Sequence, residues 1–161
     1  MTCVGKSHNA RTSLFFQKMI LNLFGQPESG KTTLARSIKR LFAHERVLII
    51  DGDELRKATD NENYTVVGRK KNLRLAYNLA ILFEKQGYIV ILALVSPYPE
   101  VRQKLTEKSK EIYHFYLHSK RNKRAKYHVK SFDIGYADKF ICTDGSIADS
   151  LMEIFKIIKD E

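Results

Sequence analysis

Short apolar runs alternate with longer stretches of helical period along the chain. Residues 20–24 form an apolar run closed by Gly25 and Pro27 and read as a buried strand. Residues 31–43 read as a helix, and 46–50 as a second strand ending at Asp51-Gly52-Asp53. The polar stretch 57–63 reads as a loop. Residues 69–86 predict a long helix, with Leu75, Leu79, Leu82 and Phe83 along one face and Gly87 as its stop. Residues 88–95 are continuously apolar and rich in β-branched side chains, the pattern of a central parallel strand buried on both faces. Then follow a helix over 99–108, a strand over 112–117, a basic loop or lid over 121–130 and a short last strand over 140–142. Residues 146–159 close the chain as an amphipathic helix. Ile147, Leu151, Ile154, Phe155 and Ile158 share one of its faces, and Ser146-x-x-Asp149 resembles a capping box. Strand and helix in alternation predict a three-layer α/β/α fold around a parallel five-stranded sheet.

A length of 161 residues fits one domain, expected over residues 19–161 with a lid near 118–135. Such a chain buries enough surface to fold without disulfides or metals. Cys3 falls in an expected tail and Cys142 in an expected strand, so no structural disulfide is expected. That usage suits a reducing cytoplasm. No apolar run reaches the roughly 18 residues of a membrane span, and no membrane partner is expected. Residues 1–18 carry Lys6, Arg11 and Phe15-Phe16 but no apolar h-region. They read either as a flexible extension ahead of Met19 or as a short extra strand or helix. The net charge is +10, from 28 basic and 18 acidic residues, which points to an anionic partner. Nucleotides, nucleic acid and anionic membrane surfaces all meet that description.

Chemistry enters at Gly25-Gln26-Pro27-Glu28-Ser29-Gly30-Lys31-Thr32, a full match to the phosphate-loop pattern G-x-x-x-x-G-K-[ST]. A buried strand precedes it and a helix begins inside it. Backbone N–H groups of such a loop point at phosphates at the positive end of the helix. Lys31 is expected to neutralise the β- and γ-phosphates of ATP, and the Thr32 hydroxyl to ligate Mg²⁺, with Thr33 closing the ATP contact. Glu28 brings a negative charge beside the phosphates. The loop alone predicts nucleotide binding and no particular reaction.

Asp51-Gly52-Asp53 falls where the second strand ends, the edge at which open α/β sheets bind ligands. A carboxylate there can orient Mg²⁺ through water, accept a proton from an attacking hydroxyl, or cap a helix. Between the two acids, Asp51 is slightly preferred as the base because it ends the strand. Arg56, one turn on, has the fork that grips phosphate or sulfate.

Four blocks in order resemble the adenylylsulfate kinase family, small P-loop kinases that phosphorylate the ribose 3′-hydroxyl of adenylylsulfate with ATP. They are the P-loop with Thr33-Leu34-Ala35, the strand ending in Asp51-Gly52-Asp53-x-x-Arg56, the helix opening Arg69-x-x-Asn72-Leu73-Arg74, and Ser96-Pro97-Tyr98. The resemblance implies that Asp53, Arg56, Arg69 and Asn72 hold the acceptor, with Ser96, Pro97 and Tyr98 beside it. Tyr64 takes the place of a phenylalanine that packs on the acceptor base.

Two departures stand out. Gly68 replaces an acid, and beyond Leu117 the family's longer lid is missing. In its stead residues 121–133 form a shorter basic stretch. Arg121 and Arg124 are its candidates for transferring phosphate, and Phe132 for covering a base.

The reaction implied is in-line attack of the acceptor hydroxyl on the γ-phosphoryl of ATP, catalysed chiefly by positioning and charge. The catalytic set is Lys31, Asp51 and Asp53. Another activated nucleotide such as cytidine diphosphoramidate is the alternative acceptor. A nucleic-acid-binding P-loop protein or polynucleotide kinase is the alternative of a different class, disfavoured because no RNA-binding aromatic pattern accompanies the charge. A homodimer stays open.

Overall fold

The computed structural model describes residues 18–121 and 123–159. The extension expected at 1–18 therefore lies, but for Lys18, outside the described residues. Five strands form one sheet: β1 Met19–Phe24, β2 Val47–Asp51, β3 Ile89–Leu94, β4 Ile112–His118 and β5 Lys139–Cys142. Their order is β2-β3-β1-β4-β5, and every pairing is parallel. The five helices are α1 Lys31–Leu41, α2 Gly52–Ala58, α3 Val66–Lys85, α4 Pro99–Lys108 and α5 Ile147–Lys159.

Side-chain alternation builds the three layers. Met19, Leu21 and Leu23 of β1 and Ile89, Ile91 and Ala93 of β3 face α1 and α5, meeting Leu34, Ile38 and Ile154. Ile20, Val90, Leu92 and Leu94 face the other way and meet Leu73, Tyr77, Ile81, Val101 and Leu105 of α3 and α4. All six residues of β1 and all six of β3 are buried. β3 thus has the two-sided burial its composition predicts, although β1 takes the centre.

Four expectations are corrected. The stretch 57–63 is not all loop: α2 runs to Ala58, because the Asp51 carboxylate caps it through the N–H groups of Asp53 and Glu54. α3 begins at Val66, three residues early, where the Thr65 hydroxyl accepts from Gly68 N. Its inward face is Leu73, Ala76, Tyr77, Ala80 and Ile81, whereas Leu75 and Leu82 are exposed. Small alanines let this helix lie close to the sheet, and the large aliphatics spread to its flanks. At α5 the capping box is present, with Ser146 Oγ accepting from Asp149 N at 3.1 Å and Asp149 Oδ2 accepting from Ser146 N at 3.3 Å. Ile154 is buried and Leu151, Phe155 and Ile158 pack on the core, but Ile147 is exposed.

One polar chain runs through the sheet. Asn22, in the middle of β1, donates to His114 Nδ1 at 2.9 Å, and His114 Nε2 lies 2.8 Å from the Thr106 hydroxyl. An accepting Nδ1 leaves the proton on Nε2. Burial pushes the His114 imidazole down to about 4, against the opposing pull of Asp138.

Candidate active site

The phosphate loop spans the gap between β1 and α1. Gly25 is required by a close approach, since a Cβ there would sit 2.2 Å from the Leu117 carbonyl oxygen at the end of β4. Gly30 precedes α1 with φ 87°. Ser29 is buried and Gln26, Pro27 and Glu28 are half-buried, whereas Thr33 is exposed.

Lys31 is 8% exposed and folds back over the loop. Its Nζ donates to Gly25 O at 3.0 Å, Gln26 O at 2.6 Å and Ser29 Oγ at 3.1 Å. Burial pushes the Lys31 ammonium down to about 8, while the charges of Asp51 and Asp53 pull it back up.

The end of β2 meets this loop directly. Thr32 Oγ1 donates to Asp51 Oδ2 at 2.6 Å. The other oxygen, Asp51 Oδ1, accepts from Asp53 N at 2.9 Å and Glu54 N at 3.3 Å. Asp51 is therefore both the helix cap and the partner of Thr32, so two of its sequence-level roles coexist. Asp53 is exposed. Its charge acts on Lys31 on one side and on Arg56 on the other. Among the described residues no cluster of three or more His, Cys, Asp or Glu side chains stands ready for a metal. The donor set at this point is one hydroxyl and one carboxylate, all oxygen. It fits Mg²⁺, which takes few protein ligands and completes its shell with phosphate and water.

On the acceptor side, Arg56 is buried and donates to Asn61 O at 3.1 Å and Asn63 O at 3.0 Å. Its guanidinium lies 4.2 Å from the centre of the Tyr64 ring. Arg69 donates to Tyr64 O at 2.9 Å and stands 5.4 Å from the same ring. Two cations thus converge on a tyrosine that is 56% exposed. Burial lowers the pKa of Arg56, opposed by Tyr64, then lowered further by Arg69 and opposed by Asp53. Gly68 is explained by Asn63, whose backbone oxygen would lie 2.3 Å from a Cβ at that position. Asn72 is 5% exposed, and its Oδ1 has no hydrogen-bond partner among the described residues. Ser96 and Pro97 are buried, and Ser96 Oγ lies 2.7 Å from the Tyr77 hydroxyl. Tyr98 precedes α4 with Lys70 Nζ 5.0 Å from its ring.

Between β4 and β5 the described residues have no regular structure except a 3₁₀ turn at Ala125–Tyr127. Arg121 sits at the rim of the phosphate loop and donates to Thr143 Oγ1 at 2.6 Å. Thr143 Oγ1 in turn donates to Ser29 O at 2.9 Å. Arg124 N donates to Glu28 Oε2 at 2.6 Å. Gln26 Nε2 donates to Val129 O and Gln26 Oε1 accepts from Val129 N, both at 2.9 Å. Phe132 packs on Tyr116, ring centres 6.0 Å apart, and Tyr116 packs on Phe24 at 5.5 Å.

Sequence reasoning passed over two residues. Arg102 of α4 is buried, lies 4.2 Å over the Phe24 ring, and donates to the carbonyls of Ser96, Asp133 and Ile134. It ties the Ser96-Pro97 segment to the returning chain. Thr143 buttresses the loop from the end of β5. Its position just past a strand's carboxyl end was the available signal.

No helix among the described residues is long and apolar enough to cross a membrane. Among solved structures, the Mycobacterium tuberculosis APS kinase CysC in complex with AMPPNP and APS is similar at TM-score 0.75 and 20% identity. The match covers 89% of this chain and 98% of that one. A Sinorhizobium meliloti gluconokinase is similar at TM-score 0.65 and 15% identity, over 89% of this chain and 93% of that one. At such identities the likeness is one of fold. In sequence, a probable adenylyl-sulfate kinase of Bacillus subtilis is 37% identical over 91 residues, 55% of this chain and 46% of that protein. An adenylyl-sulfate kinase of Bacillus licheniformis is 40% identical over 86 residues, 52% and 44% of the two chains. The matched region thus spans less than half the length of these relatives. The family model for adenylylsulphate kinase matches residues 17–132, most of the chain, and the protein belongs to that family.

Proposed function

We propose that this protein transfers the γ-phosphoryl group of ATP to the ribose 3′-hydroxyl of adenylylsulfate, giving 3′-phosphoadenylylsulfate, in the cytoplasm. One observation carries the reading: Asp53 is exposed in the first turn of α2, between Asp51, which meets Thr32 of the phosphate loop, and Arg56, whose guanidinium lies 4.2 Å from the Tyr64 ring. It stands between a phosphate site and a site of cationic and aromatic side chains.

Gly25 to Thr33 bind the ATP phosphates through backbone N–H groups. Lys31 leaves the Gly25 and Gln26 carbonyls and takes the β- and γ-phosphates. Thr32 and Asp51 would hold Mg²⁺, which when bound would neutralise charge on the transferring group. Arg56 and Arg69 take the anionic sulfate and phosphate of the acceptor, and the exposed Tyr64 takes its base. Asn72 Oδ1, buried and unpartnered, accepts from an acceptor group. Ser96, Pro97 and Tyr98 wall this side.

Asp53, rather than Asp51, orients and deprotonates the attacking hydroxyl. Asp51 accepts from Thr32 on one oxygen and from two backbone N–H groups on the other. Among the described residues the Asp53 carboxylate has no such engagement, and it is the residue free to receive a proton. Arg121 and Arg124 bring positive charge to the transferring phosphate.

The test is turnover with ATP and Mg²⁺ against adenylylsulfate, cytidine diphosphoramidate, nucleoside monophosphates and an RNA oligonucleotide, read as ADP formed and product mass. Adenylylsulfate is expected to turn over fastest. Turnover confined to another nucleotide would move the acceptor, and turnover confined to RNA would replace the reading.

A further inference from the structure

The segment 123–130 is short and strongly basic, carrying Lys123, Arg124, Lys126, His128 and Lys130. None of the ion pairs among the described residues involves it. Its backbone, by contrast, is fixed at two points, and both partners are side chains of the phosphate loop. The carboxamide of Gln26 offers one donor and one acceptor to Val129, each at 2.9 Å, as a paired strand residue would. Glu28 holds a φ of 67°, a conformation uncommon outside glycine, and its carboxylate accepts from Arg124 N at 2.6 Å. Gln26 also accepts the Lys31 ammonium at its own carbonyl.

We propose that Gln26 and Glu28 are positioning residues that clasp the basic segment to the phosphate loop, so that its cations are held over the phosphates of a bound nucleoside triphosphate. The inference rests on the ATP site proposed above but not on the identity of the acceptor. The clasp engages only backbone groups of the segment. It therefore fixes the segment's place and leaves the Arg124, Lys126 and Lys130 side chains to meet phosphate. It also gives a physical reason for an acid inside a phosphate loop: the Glu28 charge is spent on a backbone N–H instead of facing the ligand. Arg124 makes only a loose approach to Tyr127, its guanidinium 5.9 Å from the ring centre.

The experiment uses the full chain in two readouts. Amide hydrogen exchange at Val129 and Arg124, without nucleotide, reports the clasp. The dissociation rate of a fluorescent ATP analogue with Mg²⁺ reports its effect. Gln26→Ala is expected to speed exchange at Val129, and Glu28→Ala at Arg124, each by about tenfold or more. Both are expected to raise the nucleotide dissociation rate by about tenfold. Glu28→Gln keeps a carbonyl acceptor and is expected to restore slow exchange and slow release. Unchanged exchange in the alanine variants would overturn the clasp. Faster exchange with unchanged release would overturn its role. A wild-type chain that binds no ATP analogue would overturn the ATP site and the clasp's purpose together.

Discussion

The donor half and the acceptor half of the site are built in opposite ways. On the donor side the groups proposed to meet phosphate are backbone N–H groups and a lysine that is 8% exposed, locked by hydrogen bonds to the loop itself. Thr143, Gln26 and Glu28 tie that loop to β5 and to the basic segment. On the acceptor side the groups are side chains that lean on one another, with an exposed Tyr64 between the buried Arg56 and the half-buried Arg69. The fold dictates the donor geometry. The acceptor geometry depends on a few side chains of one loop and the start of α3, and can change with little cost to the core.

The largest effect expected from this contrast is at Lys31. Lys31→Ala should lower kcat by about 10³-fold or more, roughly 4 kcal/mol of transition-state stabilisation, while far-UV circular dichroism stays unchanged. Turnover within tenfold of wild type would mean that the phosphate loop does not carry the chemistry.

The next effect belongs to the scaffold under the donor half. His114 is buried neutral with its pKa down at about 4. The unfolded chain binds a proton near pH 6.5 that the native chain refuses, so stability falls as pH drops from about 6.5 to 4. The loss should approach about 3 kcal/mol at the acid end, at roughly 1.4 kcal/mol per unit. Urea unfolding at pH 7 and at pH 4.5 would read it, and His114→Gln should flatten that part of the pH dependence.

How much of this was legible in the sequence follows the same divide. The phosphate loop was, because fixed glycines and one lysine in sequence state the geometry outright. So were the strands and the Ser146 cap, which are local. The inward face of α3 was not, because Ala76 and Ala80 pack closely without adding a hydrophobic stripe. Helix α2 was hidden because seven largely polar residues show no period, and a cap at Asp51 decides them. The clasp could not be read at all, since Gln26 and Val129 are 103 residues apart and meet only through the sheet order. Arg102 likewise acts on carbonyls 31 and 32 residues away.

Smaller effects sharpen the comparison. Tyr64→Ala should raise KM for the acceptor by about tenfold, the loss of one stacked ring, and leave ATP affinity within twofold. Arg56 keeps its bonds to Asn61 and Asn63 in that variant, so the loop stays in place. An equal loss of ATP affinity would show that the two halves are not separate. Lys31 should also give ATP binding a pH dependence. Because its pKa in the free protein is about 8, the lysine must gain a proton to pair with phosphate at higher pH. Calorimetry should find affinity flat up to about pH 8 and falling toward tenfold per unit above it.

The central claim is that Asp53 joins the two halves while Asp51 belongs to the donor half. Asp53→Asn and Asp51→Asn should be compared for kcat, nucleotide affinity and melting temperature. Asp53→Asn is expected to lower kcat by about 10²-fold or more with ATP affinity and melting temperature unchanged. Asp51→Asn is expected to weaken Mg²⁺-ATP binding and, through the α2 cap, to change stability by up to about 1 kcal/mol. A protein that keeps its kcat without the Asp53 carboxylate, and loses it without that of Asp51 at unchanged ATP affinity, would contradict the account.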